Sequence, residues 1–115
     1  VETHRLRIDS QPLGIARMVS MLSSLGDLPA ELAICLATGN TARMRKLDTG
    51  MIEIGRAADF VFMDKAQHSA GDDLLDSIHL GDLPGIGMVV IDGHVKCHRS
   101  RNTPPATRIP TLVKG

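Results

Sequence analysis

The sequence predicts an α+β fold, with N-terminal helices followed by short β-strands and a hairpin. Three observations carry that expectation. From Ser10 to Lys46 the apolar residues recur at helical spacing. From Met51 to His98 they alternate or stand in short blocks, as strands require. Between two such blocks lies Asp92-Gly93, the residue pair of a two-residue hairpin turn whose central positions both want positive φ.

Taken in order, the first helix is expected to open at Ser10 as N-cap with Pro12 in its first turn. Its broad apolar stripe is Leu13, Ala16, Met18, Val19, Met21, Leu22 and Leu25, and Gly26 supplies a left-handed stop. Pro29 marks the start of a second helix, with Glu31 near the positive end of its dipole and one buried face of Leu32, Ala33, Leu36 and Ala37. The chain then breaks at Gly39, and Asn40 caps a short third helix running through Leu47. Arg43, Arg45 and Lys46 close that helix as solvated cations favoured by the dipole.

Strands follow. Met51 to Ile54 is expected to be a short one and "ADFVFMD" another, with Phe60 and Phe62 on one face and Val61 and Met63 on the other. Apolar residues on both faces imply a strand covered on each side. "KAQHSAGDD" is a polar loop, and "LLDSIHL" fits helix and strand equally. The hairpin is expected from Met88 to His98, and the proline-broken "RSRNTPPATRIP" as an extended arm. Four stretches result: an atypical opening at 1–10, a helical segment at 11–47, a β-rich segment at 48–99 and the arm at 100–115.

Bulk composition narrows the function. A chain of 115 residues fits one domain or a piece of a larger one, and is too short for a complete large barrel. Only 2% of residues are aromatic against 43% hydrophobic, so the core must be aliphatic and methionine-rich. Thirteen basic residues balance thirteen acidic ones, and no aromatic platform for bases exists, which argues against nucleic acid. No apolar run reaches the length of a membrane span, and the charged Val1 to Ser10 lacks the apolar core of a secretory leader. Cys35, in an apolar helical run, is expected as a small buried thiol. Two cysteines, Cys35 and Cys97, are too few for a secreted disulfide framework, so a cytoplasmic location is expected.

The residues offer little chemistry of their own. "HVKCH" gathers His94, Cys97 and His98, but on a strand the histidines share one face with Lys96 while Cys97 points to the other. His4, His68 and His79 stand singly among polar residues, without a carboxylate at useful spacing. "GDLPGIG" (Gly81 to Gly87) lacks the G-x-G-x-x-G spacing, and Asp82 would repel a phosphate, so a tight prolyl loop is expected. No G-x-S-x-G occurs, and no carboxylate pair stands in an apolar setting. No catalytic, cofactor-binding or metal-ligating residue is therefore assigned.

A resemblance does stand out. "PAELAICLATGNTARMRKLDTGMIEIGRAADFVFMD" resembles the C-terminal segment of the metal-dependent amidohydrolase superfamily. The matching positions are Ala37, Thr38, Asn40, Gly50, Ile52, Gly55, Ala58, Asp59, Val61 and Asp64. "GDLPGIGMVVIDGHV" and "SRNTPPA" are similar to enamidase-like members, which hydrolyse a cyclic enamide carbon–nitrogen bond. The resemblance runs from Gln11 to about Thr107, nearly the whole chain. It implies the last helices of a (β/α)₈ barrel plus part of its accessory β-sandwich. It also implies a divalent metal, zinc or iron, held by residues upstream of the matching region. Asp9 lies too near the first helix to take the place of the last of those ligands. The expectation is thus a C-terminal amidohydrolase fragment, inactive alone and without a cofactor of its own. Homo-oligomers would form through exposed strand edges or the apolar helix face. The alternatives are a small binding or oligomerisation module and, more remotely, a zinc protein built on "HVKCH".

Overall fold

The computed structural model describes residues 14–99 and 103–113. It is α+β: four helices and one three-stranded antiparallel sheet among those residues, in the order α1 (Ile15–Gly26), α2 (Ala30–Ala37), α3 (Gly39–Arg45), β1 (Phe60–Asp64), α4 (Leu74–His79), β2 (Gly85–Ile91) and β3 (His94–Cys97).

The helices form where the spacing placed them, but their ends and faces differ. Ser10 lies outside the described residues, and α1 begins at Ile15 with Gly14 as its N-cap. Asp27, not Gly26, takes the left-handed C-cap position with φ 53°, a conformation the short Asp side chain tolerates. In α2 the expected face is corrected. Ala30 and Ala33 are buried and Ile34 and Ala37 half-buried, whereas Leu32 and Leu36 point outward. Small side chains let α1 and α4 approach α2 on the alanine side, around Val19, Ala30, Ala33 and Ile78. For α3 the N-cap is Thr38, not Asn40, and the helix gives way at Arg45 to a left-handed Lys46 before Leu47.

Met51 to Ile54 is not a strand. A strand needs a neighbour for its backbone groups. This stretch instead turns, with the Arg56 N–H donating to the Glu53 carbonyl, and leaves Ile52 and Ile54 in solvent. "LLDSIHL" resolves as α4 because Asp73 caps it, accepting from the Asp76 N–H at 2.9 Å.

The sheet order is β1-β2-β3, with β2 central. β2 starts at Gly85, so the second half of the expected prolyl loop is strand, pairing Gly85 with Asp64 and Ile86 with Met63. The register skips between Phe62 and Met63. Val61 and Phe62 remain about half exposed, so the cover expected on both faces of β1 is incomplete among the described residues. The hairpin turn falls at Asp92-Gly93 with φ 51° and 77°, as that residue pair requires. The arm is extended yet tied down. Ala106 bridges Ala66, and Thr107 N–H donates to the Lys65 carbonyl at 2.9 Å.

Helix packs on helix and strand on strand. Between these layers lies an apolar cavity of about 260 Å³, lined on one side by Val19, Ile34 and Ile78 and on the other by Val61, Met63 and Ile86.

Candidate functional site

Three places bring polar or ligating side chains together. The first is one that sequence spacing hid. Ser23 on α1 and His79 on α4, 56 positions apart, meet with Oγ and Nδ1 at 2.9 Å, while Nε2 lies 3.7 Å from Oδ1 of Asp27. Thus His79, expected to stand alone, has both a hydroxyl and a carboxylate beside it. Serine, histidine and aspartate in contact suggest a nucleophilic triad, and the hydrogen bonds decide against one. The Ser23 hydroxyl donates to the Leu28 carbonyl at 2.7 Å, so its oxygen can only accept from His79. A nucleophilic serine must give its proton to the imidazole. Ser23 is also fully buried, out of reach of any substrate. The trio instead ties α1, the α1–α2 turn and α4 together. Beside it, Asp27, Glu31, Asp76 and His79 border an open hollow of about 400 Å³.

The second place is "HVKCH". His94 and Lys96 are exposed on β3 while Val95 and Cys97 are half-buried, which puts the imidazole and the thiol on opposite faces. His98 follows the strand in a bend, also exposed. Both cysteines are free thiols, and Cys35, expected to be buried, is exposed because it lies with Leu32 and Leu36 on the outer side of α2. Among the described residues no three His, Cys, Asp or Glu side chains converge as a metal would need. His68 is exposed and lies in the turn after Ala66; His4 and Asp9 fall outside the described residues.

Asp64 and Arg108 form the third. The Arg108 Nε donates to Oδ2 at 2.7 Å, Nη2 to Oδ1 at 3.3 Å and the Arg108 backbone N–H to Oδ2 at 3.1 Å. The Lys65 N–H adds a bond to Oδ1 at 2.8 Å. Hydrogen bonding from Arg108, the largest influence, holds the Asp64 carboxyl below its usual range, although burial pushes the other way. With its acceptor sites so occupied, Asp64 anchors the arm and is not free to act as a base.

Other positions of the recognised pattern have structural work that explains them. Asp59 Oδ1 accepts from the Asp92 N–H at 2.8 Å, and the Ala58 carbonyl accepts from the Gly93 N–H at 2.9 Å, so Ala58-Asp59 clasps the hairpin turn. Gly50 adopts φ 84° with Ala42 and the Thr38 carbonyl so close that a Cβ would lie 2.8 and 2.9 Å from them. Ser20, unremarked in the sequence, joins helix to loop through a 2.9 Å bond from its hydroxyl to the Asp82 carbonyl. Only the tertiary fold could reveal that contact.

Comparison with known proteins points the same way. No protein-family model matches the chain. Enamidase of Eubacterium barkeri is 44% identical over 102 residues, which are 89% of this chain and 26% of that protein. The crystal structure of an enamidase, described as a new member of the amidohydrolase superfamily, superposes with a TM-score of 0.85 at 40% identity. It covers 92% of this chain and 28% of that one. The chain therefore spans about a quarter of the length of the relative it matches.

Proposed function

We propose that this chain, an enamidase-like segment of the amidohydrolase superfamily, serves as non-catalytic framework for a metal-dependent hydrolase of carbon–nitrogen bonds. In this reading it supplies the last helices of the (β/α)₈ barrel and part of the accessory β-sandwich. The substrate of the assembled enzyme would be a cyclic enamide, by likeness to the enamidase it matches.

The superfamily is metal-dependent, and the described residues of this chain do not fit a hydrolytic metal centre. Such a centre takes about three protein ligands and an open position for water. The ligand types of "HVKCH", His94 and Cys97, are split across two strand faces. We assign the zinc or iron, and the residues that hold it, to polypeptide outside this chain. Two free thiols suit a reducing compartment such as the cytoplasm. No described helix is long and apolar enough to cross a membrane.

The observation that carries the proposal is the match itself. Close identity and a TM-score of 0.85 extend over nearly all of this chain and only about a quarter of the relative. Alone, the chain is expected to bind no catalytic metal and to hydrolyse no cyclic enamide, and to self-associate through apolar surface left uncovered. The test is metal analysis after dialysis against zinc or ferrous ion, followed by a cyclic-enamide hydrolysis assay. Stoichiometric metal with turnover abolished by His94→Ala would contradict the framework reading and favour the zinc alternative. Sedimentation of a stable monomer at high micromolar concentration would contradict the self-association.

A further inference from the structure

Helix α2 is apolar on every side. Of its eight residues only Glu31 is charged or polar beyond a thiol. Ala30, Ala33, Ile34 and Ala37 face α1 and α4, and the opposite side presents Leu32 at 51% exposure, Leu36 at 45% and the exposed Cys35. A helix apolar all round belongs inside a larger body. Helix α1 repeats the inversion, with Ser20 and Ser23 fully buried while Leu25 stands 79% exposed. The sheet edge is a poor competitor as a docking surface. β3 has four residues, and its exposed positions are His94 and Lys96, the charged or polar type that guards an edge against pairing.

We infer that the Leu32–Cys35–Leu36 face of α2 is a docking surface for the remaining portion of an enamidase-like chain. The inference rests on the framework reading above and adds the surface to it. What identifies the occupant is the comparison. The solved enamidase carries this arrangement of helices inside a chain of which the matched part is 28%, so polypeptide of that kind is what these helices are built beside. A second copy of the chain is the occupant only by default, when that polypeptide is missing.

Cys35 reports on the face without any substitution, and Cys97, on β3, is followed separately as a reporter of the sheet. The full chain is co-expressed with the part of Eubacterium barkeri enamidase outside the matched region, and the product is sized by light scattering. Alkylation of both thiols by iodoacetamide is followed by mass spectrometry, in the complex and in the free chain. We expect an equimolar complex in which Cys35 alkylates at least about tenfold more slowly than in the free chain. Leu32→Gln with Leu36→Gln should weaken that complex by about tenfold or more, a loss equivalent to about 1.4 kcal/mol. Circular dichroism establishes that the double variant folds; should it not, the thiol rates alone decide. A complex in which Cys35 reacts at its free rate overturns the inference and leaves the framework reading intact. Absence of any complex overturns both. A self-associated chain that protects Cys35 and is not displaced by the enamidase portion overturns the choice of occupant.

Discussion

The three strands, the Ala58-Asp59 pair and the arm are held to one another by backbone and charged hydrogen bonds, whereas from Ile15 to Arg45 the helices meet through alanines and turn their leucines outward. The sheet region is tied by hydrogen bonds, with Val61 and Phe62 left half exposed. Ala58-Asp59 clasps the hairpin turn, Asp64 gathers four donors, and the arm is stitched on through Ala66 and Ala106. The helical region has a core of small residues around Val19 and Ile78, closed by serine-to-carbonyl bonds. Backbone and charge-assisted hydrogen bonds need only their two partners, and so survive in a segment considered by itself. Apolar burial needs an opposing surface. The difference separates a region tied by hydrogen bonds from one whose outer helix face is apolar and exposed.

Breaking the helical core should have the largest effect. Ile78 is almost fully buried at the meeting of α1, α2 and α4, and Ile78→Ala should cost about 2–5 kcal/mol by leaving a cavity there. Denaturant unfolding of the two proteins measures it. In the sheet, Gly93 stands at φ 77° with open space around it, so Gly93→Val suffers from backbone strain and not from crowding. A loss of more than about 1 kcal/mol is expected, and a wild-type melting curve would contradict the turn's role.

Asp64→Asn sharpens the comparison through pH. Because the folded Asp64 carboxyl is held below its unfolded pKa, its contribution is fully present above the ordinary aspartate range and is lost as pH falls through the depressed folded value. Unfolding midpoints across an acid series should therefore separate wild type from Asp64→Asn near neutrality and converge in strong acid. This effect should be smaller than the hairpin's, since Arg108 is largely exposed and solvent screens the pair. The smallest change is expected from Leu32→Gln or Leu36→Gln in the isolated chain. Both side chains already lie about half in solvent, so thermal melts should shift by no more than about 0.5 kcal/mol in equivalent stability.

Local chemistry was the part legible in the sequence. Asp92-Gly93 names its own turn, and the helical period read from Ser10 to Lys46 reports three helices whatever surrounds them. The resemblance carried on Thr38, Gly50, Ala58 and Asp59 was legible for a related reason. Each of those positions meets a backbone demand: Thr38 starts α3 and accepts from the Ala42 N–H, Gly50 is left-handed, and the Ala58 carbonyl and Asp59 carboxylate hold the hairpin turn. Faces were not legible. Assigning Leu32 and Leu36 to the interior assumes that the larger apolar residue goes inward, which fails when an outer surface is itself apolar. Met51 to Ile54 has the composition of a strand, but a strand exists only with a neighbour to pair with. The Ser23–His79–Asp27 contact could not be read from spacing, because it depends on how α1 and α4 cross. Even there the direction of one hydroxyl proton, toward Leu28, separates a structural tie from a catalytic one.

Amide hydrogen exchange, read segment by segment, tests the contrast most directly. In the free chain the hairpin amides of Met88 to Cys97 should exchange more slowly than those of α1 and α2. Addition of the enamidase portion outside the matched region should then slow α2 by about tenfold or more, a larger gain than at the hairpin. Equal protection of helices and hairpin in the free chain, with no gain at α2 in the mixture, would contradict the account.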